Sequence, residues 1–265
     1  SQAAEMVKFI RPARHKVARF AVLRLSLPRE KADVKAGQIG INANANAGNV
    51  TITGTGAVDG TTGGIQAVSA IGNIIINPAS TVATSSGLGI SATTGAGGTV
   101  QITTPALVSS VTGGGIAAKT DDGSITIAQA GGVSSKLDAI TATSLTGPIA
   151  ISGAGNVLSA AGSGIIATTS NKIDVTVSGT VTANGGDGIN AASSGASNVQ
   201  VLGTGAVQAS GSGIIATSTG GTVTVAPAST VTGLGSYGIY GQTNGIGTVT
   251  VTTAGLVSGG GIGVA

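Results

Sequence analysis

The sequence predicts an all-β fold, a single-stranded parallel β-helix (a solenoid) of about ten rungs, and three observations carry that prediction. First, a Gly-Ile-x-Ala unit recurs. Its Ile marks ten positions, Ile41, Ile65, Ile90, Ile116, Ile140, Ile165, Ile189, Ile214, Ile239 and Ile262, spaced by 23 to 26 residues. The residue before the marker is Gly in nine of the ten, with Ala139 the exception, and the residue two later is Ala in eight. Second, each marker is followed by a pair of aliphatics flanking one residue and then by a further Val. The pairs are Val50/Ile52, Ile74/Ile76, Val100/Ile102, Ile125/Ile127, Ile149/Ile151, Val175/Val177, Val199/Val201, Val223/Val225 and Val249/Val251, and the third positions are Val58, Val82, Val108, Val133, Val157, Val181, Val207, Val231 and Val257. Third, most of the length variation falls between these blocks, which makes the gaps turns.

Apolar alternation with period two inside a repeat of this size signals stacked units of three short strands, each too small to bury a core alone. Coiling them so that like strands stack in parallel gives every backbone N–H and C=O a partner in the next rung and gathers Ile, Val and Ala inside. Ten rungs at about 4.8 Å make a rod on the order of 48 Å long. The prolines agree: Pro78, Pro105 and Pro227 fall just after a paired segment and Pro148 just before one, so none occupies an inward strand position. The Gly before each marker is expected to supply either positive φ or room for close approach between coils.

Composition narrows the remaining possibilities. Gly accounts for 47 of 265 residues, yet regularly placed β-branched residues argue against a disordered linker. With no Cys, thiolate metal sites and disulfides are excluded. The apolar window 151–170 is interrupted by Gly, Ser and Thr, against a membrane-spanning helix, and two Phe and two Tyr cannot furnish the aromatic girdles of a membrane barrel.

Two regions are expected, a basic arm or cap over 1–37 and the rod over 38–265. Nine of the twelve Lys and Arg lie in the arm, which carries a net +6 against −3 for the rest. Ala21–Gly40 reads as an irregular rung: Ala21, Leu23, Leu25 and Leu27 alternate, Pro28 ends the run, and Val34 follows Leu27 by seven, as in an ordinary rung whose pair closes at Leu27 and which carries one inserted residue. Upstream, Ala3–Phe20 is expected to form a short amphipathic helix covering the ladder edge. Nucleic-acid binding is not expected of the arm, because no aromatics interleave its charges as stacking platforms. The run Phe20–Leu27 is broken by Arg24 and does not make a complete signal peptide, and Ile262–Ala265 starts a rung that is expected to continue beyond this chain.

Outward positions offer little chemistry. Between the paired aliphatics stand Thr51, Ile75, Gln101, Thr126, Ala150, Thr176, Gln200, Thr224 and Thr250, small or uncharged throughout, and 188–265 contains no charged residue. Asp138 and Asp187 fall in one column two rungs apart, about 9.6 Å, at or beyond the limit of about 9.5 Å for inverting carboxylates. Asp121–Asp122–Gly123 and the GGDGI stretch at 185–189 read as turns, and His15 as solvated. No catalytic, cofactor-binding or metal site is expected. Ile166, Ile215, Tyr237 and Tyr240 form an outward apolar strip and are the candidate contact residues.

The Gly-x-Gly-Ile-x-Ala turns (87–92, 162–167, 186–191, 211–216), the Thr-Val-Thr-Val ladders and the lack of Cys resemble the repetitive passenger region of bacterial autotransporters, over about 37–265. That resemblance implies a right-handed coil, an extracellular or cell-surface location and an adhesin-like role. It also implies export through the protein's own outer-membrane barrel, which is not part of this sequence. The expected partners are a host-cell surface, an extracellular polysaccharide or a second copy. A carbohydrate-active β-helix enzyme, of polysaccharide lyase or hydrolase type, and an ice-binding solenoid remain as alternatives.

Overall fold

The computed structural model describes residues 23–26 and 33–265. Thirty short strands form three parallel sheets of ten, and the chain visits the sheets in turn. One rung illustrates the path: Ile140–Ser144 in sheet 3, Ile149–Gly153 in sheet 1, Val157–Ser159 in sheet 2, then Ile165–Thr169 directly above Ile140–Ser144. The described residues contain no helix. The expected helix over Ala3–Phe20 lies outside them, as does His15.

Period-two alternation puts one face of every strand inside. Ile90, Ile116 and Ile140 are register partners in sheet 3, Ile125, Ile149 and Ile173 in sheet 1, and Val133, Val157 and Val181 in sheet 2. All nine are at most 1% exposed. Branched side chains suit such stacks, because a like residue above and below fills the pleat at near-crystalline density.

The marker glycines serve close approach. None has positive φ. A Cβ on Gly188 would stand 2.4 Å from Val207 Cγ1 and 2.5 Å from the Gly213 carbonyl oxygen, and one on Gly164 would meet Val181 and Gly188 in the same way. Sheet 3 therefore enters tight against the Val column of sheet 2.

Buried hydroxyls, absent from the sequence reading, close two of the three corners. At the exit of sheet 3 stand Ser69, Thr94, Thr120, Ser144, Thr169, Ser193 and Ser218, all buried. Ser144 Oγ donates to the Gly123 carbonyl of the rung before (3.2 Å) and accepts from Gly147 N–H of its own turn (2.8 Å). Thr120 does the same between Gly98 and Gly123, and Thr169 donates to Gly147. Each hydroxyl thus satisfies turn amides that neither sheet reaches. Ser110 and Ser159 repeat the pattern at the exit of sheet 2. At the third corner, by contrast, the buried hydroxyls of Thr55, Thr104 and Thr204 find no protein partner.

Three register assignments differ from the sequence reading, each by two residues. In sheet 1 the pair is Ile173/Val175, stacked between Ile149/Ile151 and Val199/Val201, with Val177 buried beyond it; the outward residue between the pair is therefore Asp174, not Thr176. Val181 then lies six beyond Val175. At the C-terminal end Val264, not Ile262, pairs with Ile239, while Ile262 pairs with Tyr237. In the first rung Leu23/Leu25 pair with Val50/Ile52, so the extra length falls between Leu25 and Val34, and Val34 pairs with Val58.

Inward and outward positions differ in what a truncation removes. Ile140→Ala is expected to lower unfolding free energy by about 2–5 kcal/mol, whereas Ile75→Ala, 37% exposed on the outer face of sheet 1, should stay within about 0.5 kcal/mol; urea denaturation of both variants checks the register. Ser144→Ala, which strands Gly147 N–H and the Gly123 carbonyl, should cost about 1–3 kcal/mol, with Ser144→Thr recovering most of it in the same assay.

Candidate interaction surface

The outer face of sheet 3 carries the candidate residues. Ile166, Asn190, Ile215 and Tyr240 occupy consecutive rungs of one outward column, all partly exposed. Asn190 therefore separates Ile166 from Ile215 by two rungs, about 9.6 Å. Ile215 and Tyr240 are direct cross-strand neighbours, and the Tyr237 and Tyr240 rings approach to 4.8 Å between centroids at 37°. The fold thus brings together three of the four, leaving Ile166 apart.

Strict alternation would send Tyr237 and Tyr240, three apart, to opposite faces. It does not apply at this corner, because Gly238 and Ile239 are both buried and the chain enters the strand with Tyr237 still outside. The same geometry recurs two rungs below, where Asn190 Nδ2 donates to Asp187 Oδ2 at 3.4 Å. Positions two before and one after the marker therefore face one another, holding a polar pair in one rung and an aromatic pair in another.

A row of polar groups extends from the rings. Tyr240 Oη donates to Gln242 Oε1 (2.8 Å), and Gln242 Nε2 donates to Asn244 Oδ1 (2.9 Å). Gln242 and Asn244 are exposed, which leaves the Asn244 amide nitrogen as the outer donor of the row. Sequence reading missed both, although Gln242 stands two after Tyr240 and hence on the same face.

The aspartates considered for acid chemistry hold turns. Asp138 Oδ1 accepts Ser163 N–H and Asp187 Oδ1 accepts Ser212 N–H, both at 2.8 Å, so each carboxylate ties its rung to the next. Asn49, Asn73, Asn156 and Asn198 do likewise at other corners. Asp122 Oδ1 accepts from Thr146 Oγ1 at 3.3 Å. An open depression of about 450 Å³ is lined by Ala183, Asn184, Gln208, Ser210, Thr232 and Leu234, with no carboxylate. No three His, Cys, Asp or Glu converge on a common point among the described residues. In the outward column of sheet 1, Asp174 interrupts the uncharged row and pairs with Lys172 at 2.8 Å, an exposed bridge that contributes at most about 1 kcal/mol.

A bracing role for Asp187 has a direct consequence. Asp187→Asn should leave the unfolding midpoint nearly unchanged, while Asp187→Ala should cost about 1–3 kcal/mol by orphaning Ser212 N–H, read by chemical denaturation. Set against protein-family models, curated proteins and solved structures, the chain finds no match in any of the three.

Proposed function

We propose that this chain is a non-catalytic adhesive rod of the kind that bacterial autotransporters export as a passenger. The observation that carries the reading is the division of labour between its two surfaces. The repeating Ile, Val and Ala columns up to Ile239 lie inside, and the outer strand faces carry mainly small uncharged side chains with scattered exposed aliphatics and, among the described residues, one aromatic pair in the Tyr237–Thr243 rung. Such a rod sets a contact surface on a stiff support without enclosing a substrate. Its stability is a sum over neighbouring rungs, so the support can be lengthened without redesign. The absence of Cys suits transit through a narrow pore as an extended chain, since no cross-link has to be undone.

Fusing the 265-residue chain upstream of an outer-membrane barrel translocator in a Gram-negative host tests the two parts separately. The chain is expected to become accessible to external protease, and the cells to gain retention under flow on surfaces coated with animal cells or polysaccharide. No surface exposure would overturn the export part, and exposure without added retention would overturn the adhesive part.

A further inference from the structure

We infer that the Tyr237/Tyr240 patch binds a neutral glycan; the inference rests on the adhesive reading above and names the partner. The first ground is chemical. A sugar offers an apolar face of C–H groups and a rim of hydroxyls, and it is held by aromatic faces flanked by a few fixed polar groups. The Tyr237–Thr243 rung offers both: two rings at 4.8 Å and 37°, partly exposed, and beside them the hydrogen-bonded series Tyr240, Gln242 and Asn244. Because Gln242 and Asn244 already fix each other's amides, a hydroxyl meets donors and acceptors whose orientation costs little to set.

The second ground is charge. From residue 188 to 265 the chain has no Asp, Glu, Lys, Arg or His. The nearest acid in the adjoining column, Asp187, is engaged by Ser212 N–H and Asn190. A sulfated or uronic polymer, a nucleic acid or an acidic peptide would find no counter-charge there, and a neutral polymer needs none.

The third ground is size, which decides against a second copy of the chain. Each aromatic side chain buries at most about 150–250 Å². Two partly exposed rings, with Ile215 and the half-exposed Ile262 beside them, therefore fall short of the roughly 800 Å² per partner of a specific protein interface. A few sugar units lying along the rod are matched to that area. The strand beneath is held on both sides by Ile214–Ser218 and Ile262–Val264, so the rings sit on a fixed base.

The chain carries its own reporter. It has no Trp and two Tyr, both in this patch, so intrinsic tyrosine fluorescence reads this site alone. The 265-residue chain is titrated with cello-, manno-, xylo- and chitohexaose, and in parallel with polygalacturonate and heparin. At least one neutral hexaose should give a saturable change, weakened ten-fold or more by Tyr240→Ala, several-fold by Gln242→Ala, little by Tyr240→Phe and not at all by Ile75→Ala. Isothermal titration on the same samples covers the loss of one fluorophore, and an unchanged far-ultraviolet circular dichroism spectrum shows that each variant is folded. No response to any neutral hexaose, a response to the charged polymers alone, a response that follows protein concentration in sedimentation, or undiminished binding by folded Tyr240→Ala would each overturn the inference. Cells displaying Tyr240→Ala that adhere as well as the parent would overturn it while leaving the adhesive reading in place.

Discussion

Closure of each coil onto the one below is the constraint on which the rest of this molecule depends. A parallel ladder tolerates no drift: if a rung returned one residue out of place, its inward aliphatics would face water and its amides would lose their partners together. Strand pairing is carried into the turns by backbone bonds from rung to rung, such as Leu145 N–H to the Asp121 carbonyl, and corner side chains add to it. The Thr120, Ser144 and Thr169 hydroxyls join the turn of one rung to that of the next, and the marker glycines admit sheet 3 against the Val column of sheet 2. Two corners are braced in this way, and the third keeps Thr55, Thr104 and Thr204 hydroxyls without protein partners. At that third corner the rungs are joined instead by Gln129 Nε2 donating to the Gly155 carbonyl (2.9 Å), by Thr180 N–H donating to Asn156 Oδ1 and by backbone bonds such as Ala130 N–H to the Thr104 carbonyl.

The same constraint separates stability from recognition. Inward positions are coupled vertically, Ile90 to Ile116 to Ile140, so a change in one is felt by its neighbours above and below. Outward positions touch little beyond their own column and are free to vary rung by rung. That freedom explains how one column can run Ile166, Asn190, Ile215 and Tyr240, an alternation no buried column would accept. It also explains why the aspartates do not gather into a site. Where an Asp falls at a corner, the nearest unmet donor is a backbone N–H of the next rung, and Asp138 and Asp187 take it.

The fold was legible in the sequence because a solenoid writes its core as a period, and the markers from Ile41 to Ile239 stack as that period requires. Where reading went astray it slipped by two, at Ile173/Val175, at Val264 and at Leu23/Leu25. The cause is physical: a shift of two keeps every side chain on its own face, so alternation alone cannot detect it. Only the corners distinguish the registers. The deciding signal at Ile173/Val175 was a spacing, since in every other rung from Val50/Ile52 onward the third Val lies six beyond its pair, which selects Val175 over Val177; beside it, a Ser or Thr stands four past each marker from Ile65 to Ile239, an even offset that points inward at a corner. An inward hydroxyl recurring at one place in the coil is a ladder brace before it is anything else.

The patch was half legible for a related reason. Ile215, Tyr240 and Gln242 could be assigned to the outer face by counting, but the approach of Tyr237 to Tyr240 could not, because it arises from a break in alternation at the entry to sheet 3. That break is not peculiar to this rung: at Ser163/Ile166 and Asp187/Asn190, as at Tyr237/Tyr240, the residues flanking the buried Gly-Ile pair are both partly exposed, whereas at Gly63, Gly114 and Ser212 the first of the two is buried. Asp187 and Asn190 use the juxtaposition for a hydrogen bond, and Tyr237 and Tyr240 use it to lay two rings side by side. A corner geometry required by packing therefore creates, in several rungs, a place where two side chains three apart can act together, and residue choice decides whether that place braces the coil or meets a partner.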